Sequence, residues 1–344
     1  MTLRAIVSSV LCVLSVAAHA DGKVVVYNWA EYIPEGVLEQ FTEKTGIKVE
    51  YSTYDNNETM YAKLKLQNGK GYDIVVPSTY LVSRMRKEGL IQPIDHARLT
   101  NYKHLDPDLL DKPYDPGNQY SIPYLWGSTA IGVNSDDIDP ASITGWADLW
   151  DEQWRGKLLL IDDMREVFHM AYKINGVSTN TTDPAQIEQA YEKLKTLMPN
   201  VLVFNADAPR EPFLAGDVSL GMLWSGEASM AQEENAAIEY VYPSEGAGFW
   251  IDNFVIPAGA ENVENAHKFL DFMLRPEVAK QAVEEIGYAT PNLTARDLLD
   301  EETRNNPIIF PSADVVKAGE FQEDIGEEAN ALMNDYWEKL KSGQ

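Results

Sequence analysis

Apolar and polar positions alternate along this chain with two periods, and the switches between them mark its elements. Val24 to Tyr27 reads as a strand. Pro34 suits the first position of a helix, where no amide proton is needed; Val37, Leu38 and Phe41 share one face and Gly46 closes it. Ile47 to Tyr54 is strand-like by its β-branched and aromatic residues, Met60 to Leu66 is helical, and Tyr72 to Val76 is a buried strand before Pro77. Repeated strand–helix–strand units predict a mainly parallel sheet with helices on both faces.

A stretch rich in Pro and Asp, Asp106 to Asn118, interrupts the alternation. Ala130 to Asn134 resumes it as a strand that leads out of the first lobe. The second alternating region runs through Lys157 to Ile161 (strand), Met164 to Lys173 and Pro184 to Leu197 (helices), and Val201 to Phe204 (strand). Pro209 to Ala215 and Val218 to Trp224 continue it. The strand Phe249 to Ile256 and the helices Val263 to Leu274 and Pro276 to Ile286 fit either half, and Asp300 to Leu340 reads as a helical, acidic tail.

The N-terminus does not belong to this pattern. Arg4 precedes an apolar run from Ile6 to Val16, and Ala18-His19-Ala20 offers a small-residue cleavage signal. Residues 1–20 are therefore expected to be a secretory signal peptide removed after Ala20, which exports the mature chain to an oxidising compartment. Cys12, the one cysteine, leaves with it. The mature chain then has 344 − 20 = 324 residues, enough for two domains without a disulfide. It carries 27 basic and 54 acidic residues once Arg4 is removed, a formal charge of 27 − 54 = −27. Such a field repels nucleic acid and draws cations in.

Candidate chemistry gathers where strands end, the side of an open α/β sheet on which ligands bind. Tyr27, Trp29 and Tyr32 follow the first strand, Ser78 and Tyr80 the third, and Trp224 closes another. Trp250 and Asp252 stand two apart in a strand and share a face, while Phe249 and Ile251 point to the other side, read as core. A buried Asp252 requires a Lys, an Arg or a ligand cation. Asp163 and Glu166, at a helix start, read either as a capping box or as two carboxylates gripping one ammonium, and the two roles are compatible. Aromatic faces beside acids suit an organic cation. His96, His104, His169 and His267 lack ligand-like spacing, so no metal or other cofactor is expected; His169 stands one turn after Glu166, in a surface or supporting role. Hydrolytic motifs are missing apart from the commonplace pair Asp162-Asp163, so no catalytic residue is assigned.

Several segments resemble the periplasmic spermidine/putrescine-binding proteins of bacterial polyamine ABC transporters, the PotD family. They include Tyr27-Asn28-Trp29-Ala30-Glu31-Tyr32, Val76-Pro77-Ser78-Thr79-Tyr80, Trp146-Ala147-Asp148-Leu149-Trp150 and Gly287-Tyr288-Ala289-Thr290-Pro291-Asn292-Leu293, and the similarity covers essentially the whole mature chain. The resemblance implies an α/β fold of the periplasmic-binding-protein type: two Venus-flytrap lobes with multiple hinge crossings, residues 21–130 with 251–299 and 131–250 with 300–344. It implies an aromatic box of Trp29, Tyr32, Tyr80, Trp224, Trp250 and Tyr288. Asp163 and Glu166 would hold one terminal ammonium and Asp252 another amine, with Glu31 as a further acid and Ser78 and Gln322 as polar contacts. Ala30 and Ala206 stand where the family carries hydroxyl residues, which bears on the choice among polyamines.

The function so implied is capture of a polyamine, spermidine first and then norspermidine or putrescine, by a monomeric receptor. An inner-membrane ABC permease is its expected partner. The alternative is a polyamine-sensing binding protein with the same fold and ligand that signals its bound state through a membrane sensor.

Overall fold

In a computed structural model the described residues are 22–343; the expected signal peptide, its cleavage after Ala20, Cys12 and His19 lie outside them. Among the described residues, strands β1 (Lys23–Trp29), β2 (Lys48–Tyr54), β3 (Ile74–Val75), β4 (Ile91–Gln92) and β5 (Ser121–Asn134) precede β6 (Leu158–Leu160), β7 (Val201–Phe204), β8 (Leu220–Trp224), β9 (Ile238–Val241), β10 (Gly248–Pro257) and β11 (Glu320–Phe321). They form one sheet in the order β2-β1-β3-β10-β5-β8-β6-β7, with β4 and β11 paired to β10 and β9 paired to β5.

The sheet is mixed rather than mainly parallel. β1 is parallel to β2 and β3, and β6 is parallel to β7 and β8, as helical crossovers dictate. β5 and β10 run antiparallel to each other and to β3, β4, β8 and β9. β5 begins at Ser121, well before the predicted Ala130. Pro123, which cannot donate to a ladder, hides that start. It sits beside a register shift: Asp252 faces Leu125 and Asn253 faces Pro123, leaving Tyr124 as the extra residue. A proline is tolerated at such a bulge, and the kink falls beside Asp252.

Helix boundaries follow local chemistry. The first helix is Val37–Thr45, not one opened by Pro34, because Gly36 caps it in the left-handed region at φ 73°. Asn56 caps Asn57–Leu66 by accepting the Thr59 amide at 2.8 Å. Thr79–Lys87 is a helix that the apolar pattern did not reveal. The predicted helical tail is interrupted: Glu301–Arg304 and Ala313–Ala318 are short, β11 follows, and a long helix, Gly326–Ser342, comes last.

Two large cores result. One gathers Val24, Val26, Phe41, Ile122, Phe254 and Phe269; the other gathers Ile131, Val133, Leu160, Phe168, Leu194 and Met333. Phe41 is fully buried with its ring 5.2 Å from Phe269 and 5.4 Å from Phe272. Truncating it to Ala would cost about 3–5 kcal/mol. β5 contributes its first half to one core and its second half to the other, so the sheet is continuous across both.

Candidate functional site

The cleft between the two cores is built from element ends. β1 delivers Trp29, and the turn behind it carries Glu31 and Tyr32; Glu31 sits at φ 48°, a left-handed conformation uncommon for a residue with a Cβ. β8 ends at Trp224, and β10 presents Trp250 and Asp252 on one face. The helix Met164–Ile174 starts at Asp163, so its first turn brings Glu166 to the same space. Trp29, Glu31, Tyr32, Ser78, Asp163, Glu166, Trp224, Trp250, Asp252, Tyr288 and Gln322 all line this one cleft, which holds about 620 Å³ of space out to its mouth.

Tyr80 falls outside the lining. Its ring is buried beneath the Arg165 guanidinium, 4.8 Å from the ring centre, and its hydroxyl donates to Glu58 at 2.9 Å. Ser78 precedes a helix, so the chain turns at 3.6 residues per turn from there and carries Tyr80 away from the cleft. His169 is also absent from the wall: it is buried, its Nε2 donates to the Gly246 carbonyl at 3.1 Å, and burial lowers it to a pKa of about 4.

The aromatic walls are fixed by their polar edges. Trp29 Nε1 donates to the Val76 carbonyl at 2.9 Å, and Trp250 Nε1 donates to Thr129 Oγ1 at 3.3 Å. Trp250 meets Tyr288 edge-on at 5.2 Å, Tyr288 meets Tyr32 at 5.5 Å, and Trp29 meets Trp224 at 6.4 Å. Gly127 clears the space for the indole: a Cβ there would come 2.7 Å from the Trp250 ring.

The acids are buried and short of positive partners. Asp252 accepts from Tyr32 at 2.8 Å and from Ser78 at 2.5 Å; Ser78 in turn accepts from Asn57 Nδ2 at 3.0 Å. Asp163 caps its helix by accepting the Arg165 and Glu166 amides at 2.8 and 3.2 Å. Glu166 does not return to the cap; it turns into the cleft, accepts from Gln322 Nε2 at 3.0 Å, and leaves its other oxygen without a hydrogen bond. Among the described residues no Lys or Arg forms an ion pair with Asp163, Glu166 or Asp252. Burial pushes Glu166 and Asp252 each up to about 7, and burial together with Glu58 and Glu166 raises Asp163. Glu31 stands differently, because Arg210 Nη2 reaches it at 2.9 Å.

Sequence reasoning missed Tyr54, Asp55, Asn57, Asp207 and Glu227, which also line the cleft. Asn57 had a signal in the N-cap position beside it, and Glu227 follows Trp224 closely enough to share its strand end. Ala30 and Ala206 are both in the wall, so their missing hydroxyls face the site. Asp162, by contrast, points outward to Lys341 at 2.7 Å and does not converge with Asp163.

Two cores joined by long strands, with a cleft between them that opens to solvent, define a two-lobed solute-binding receptor. The chain belongs to the bacterial extracellular solute-binding proteins, whose family model matches residues 36–311. It is 56% identical over 330 residues to the spermidine/putrescine-binding periplasmic protein of Escherichia coli strain K12, spanning 95% of this chain and 94% of that one. It is 45% identical over 328 residues to spermidine/putrescine-binding periplasmic protein 1 of Haemophilus influenzae, spanning 95% and 91%. A solved structure described as a putative spermidine/putrescine ABC transporter from Listeria monocytogenes superposes with a TM-score of 0.89 at 37% identity, over 94% of this chain and 99% of that one.

Proposed function

We propose that this receptor captures a polyamine between its lobes in the periplasm and delivers it to an ABC permease. The observation that carries the reading is the set of three buried carboxylates, Asp163, Glu166 and Asp252, that lack a protein cation inside an aromatic cleft. Leaving such groups uncompensated is costly, and an ammonium chain supplies what they lack: charge for the acids and methylenes for the rings. Three unpaired acids favour a triamine, spermidine or norspermidine, over the diamine putrescine. Trp29, Tyr32, Trp224, Trp250 and Tyr288 serve as the box, with Ser78 and Gln322 holding the acids in place. Ser78 and Tyr32 also fix the Asp252 carboxylate for an amine approaching from the open side.

The two cores support a division into residues 21–130 with 251–299 and 131–250 with 300–344, closing about β5 and β10. The divergence of Asp162 from Asp163 supports a receptor without a catalytic role. The leader is removed after Ala20, and the receptor acts as a monomer. Calorimetric titration of the polyamine-stripped protein with putrescine, spermidine, norspermidine and spermine tests the core of this reading. Tight one-to-one binding of a triamine is expected, and no heat from any of the four would sink it.

A further inference from the structure

One guanidinium ties both lobes together at an end of the cleft. Arg210 Nη1 lies 3.0 Å from both carboxylate oxygens of Glu227, and Arg210 Nη2 lies 2.9 Å from Glu31. Glu227 opens the helix Ser225–Glu234, whose Ala228 and Ala231 pack with Leu159 of β6 and Phe213. Glu31 belongs to the turn after β1 in the other lobe. Both acids line the cleft, whereas Arg210 stands behind them. The loop that presents Arg210 is anchored by Asn205, which accepts the Asp207 and Ala208 amides and donates to the Ala208 carbonyl. Only 12% of the Arg210 side chain and 8% of that of Glu227 are exposed, so little water shares that pair, whereas Glu31 is 56% exposed and its contact with Arg210 is open to solvent.

We infer that Arg210 is a resident cation that fixes how much positive charge a ligand must bring, and so is a specificity-determining residue of the receptor. The inference rests on the polyamine reading above. Apart from Asp55 and Asp207, which line the cleft but are exposed to solvent, the cleft acids fall into two sets. Asp163, Glu166 and Asp252 have no protein cation, while Glu31 and Glu227 share one. A ligand therefore finds three buried carboxylates that form no ion pair, and an additional ammonium reaching the Glu31–Glu227 end meets two acids whose charge the guanidinium behind them already partly balances. The planar fork of Arg addresses two carboxylates at once, which a single ammonium does less well. The Arg210 contact to Glu31 also joins one lobe to the other across the end of the cleft.

Replacing Arg210 frees both acids at this end. In Arg210→Gln, the ratio of spermine to spermidine affinity is expected to rise at least tenfold over the unsubstituted receptor, because Glu31 and Glu227 become available to the fourth amine. Arg210→Lys keeps a charge but loses the fork, and an intermediate shift is expected; it also serves if the Gln variant does not fold. Glu31→Gln leaves the Arg210–Glu227 pair neutral, so it should speed spermidine release in stopped-flow measurements with little change in that ratio. An unchanged ratio in a folded Arg210 variant that still binds spermidine overturns the inference. Failure of the unsubstituted receptor to bind any polyamine overturns the underlying reading instead.

Discussion

The first lobe buries acids in two settings, and the contrast shows what burial alone does not say. Near the lobe's outer loops, Asp73 is 2% exposed, yet it accepts the backbone amides of Val25, Glu261 and Asn262 at 2.8–3.0 Å and the Asn262 side chain at 3.0 Å. Asp115 similarly accepts the amides of Tyr120 and Ser121 and the Ser121 hydroxyl. These acids are staples for the chain. Asp252 in the cleft is equally buried but meets only two hydroxyls, and one side of it faces open space. An acid held by several backbone amides and facing no open space, like Asp73, stabilises the fold, whereas one held by two rotatable hydroxyls beside open space, like Asp252, keeps capacity for a further partner.

The largest expected effect breaks this contrast at its centre. Asp252→Asn should weaken spermidine binding by more than tenfold in calorimetry while the melting temperature stays close to that of the unsubstituted protein, since truncating one partner of a desolvated charge pair costs about 2–5 kcal/mol. Near-normal affinity in the folded variant would remove Asp252 from the site. The reciprocal change, Asp73→Ala, should leave spermidine affinity unaltered but lower unfolding free energy by about 1–3 kcal/mol, since several amides lose their acceptor at once. Denaturant titration reads that loss; an affinity change of similar size would erase the distinction between the two regions. Trp250→Ala removes a wall rather than a charge. It should weaken binding by about 0.5–2 kcal/mol, the range for a cation against an aromatic face, and unaltered affinity would count against the box.

Much of this contrast was legible before any coordinates. The two-residue spacing of Trp250 and Asp252 places them on one face of a strand, and that spacing survives in β10. Ile251, on the opposite face, is buried at 2% exposure, as a core reading expects, and with Trp126, Tyr114 and Phe321 it also borders a second cavity behind the strand. Asp163 is legible as a cap because a carboxylate before an apolar helical run has one local use, though the same logic misdirects Glu166, whose side chain leaves the cap for Gln322. Tyr80 is misplaced by a change of period: a strand reading carries it toward the ligand, and the helix that starts at Thr79 turns it onto Arg165. Arg210, and the pairing that gives Glu227 its role, were invisible for a different reason. Their meaning lies in a contact with Glu31, 179 residues from Arg210 along the chain, and no local pattern encodes such a pairing.

The smallest effect concerns protons, and it sharpens the difference between the two kinds of acid. Burial holds Glu166 and Asp252 near pKa 7, above their ordinary values of 4.5 and 3.8. The folded state then binds protons more tightly than the unfolded chain. Their contribution to stability is fully present below about pH 4 and is lost as the pH rises through about 7. A cationic ligand reverses the preference, because it pairs with the charged carboxylates and expels those protons. Spermidine affinity should therefore fall by about threefold for each of the two groups between pH 7.5 and 6.5, as expected for a site titrating near 7 that must be ionised to bind. Over the same interval the rise in melting temperature on adding spermidine should shrink. Calorimetry in two buffers of different ionisation enthalpy should show proton release near neutral pH, and Asp252→Asn should abolish part of it. Binding without proton release would mean that the cleft acids are already ionised when empty, and that the hydroxyls and amide around them stabilise charge as well as backbone amides do at Asp73.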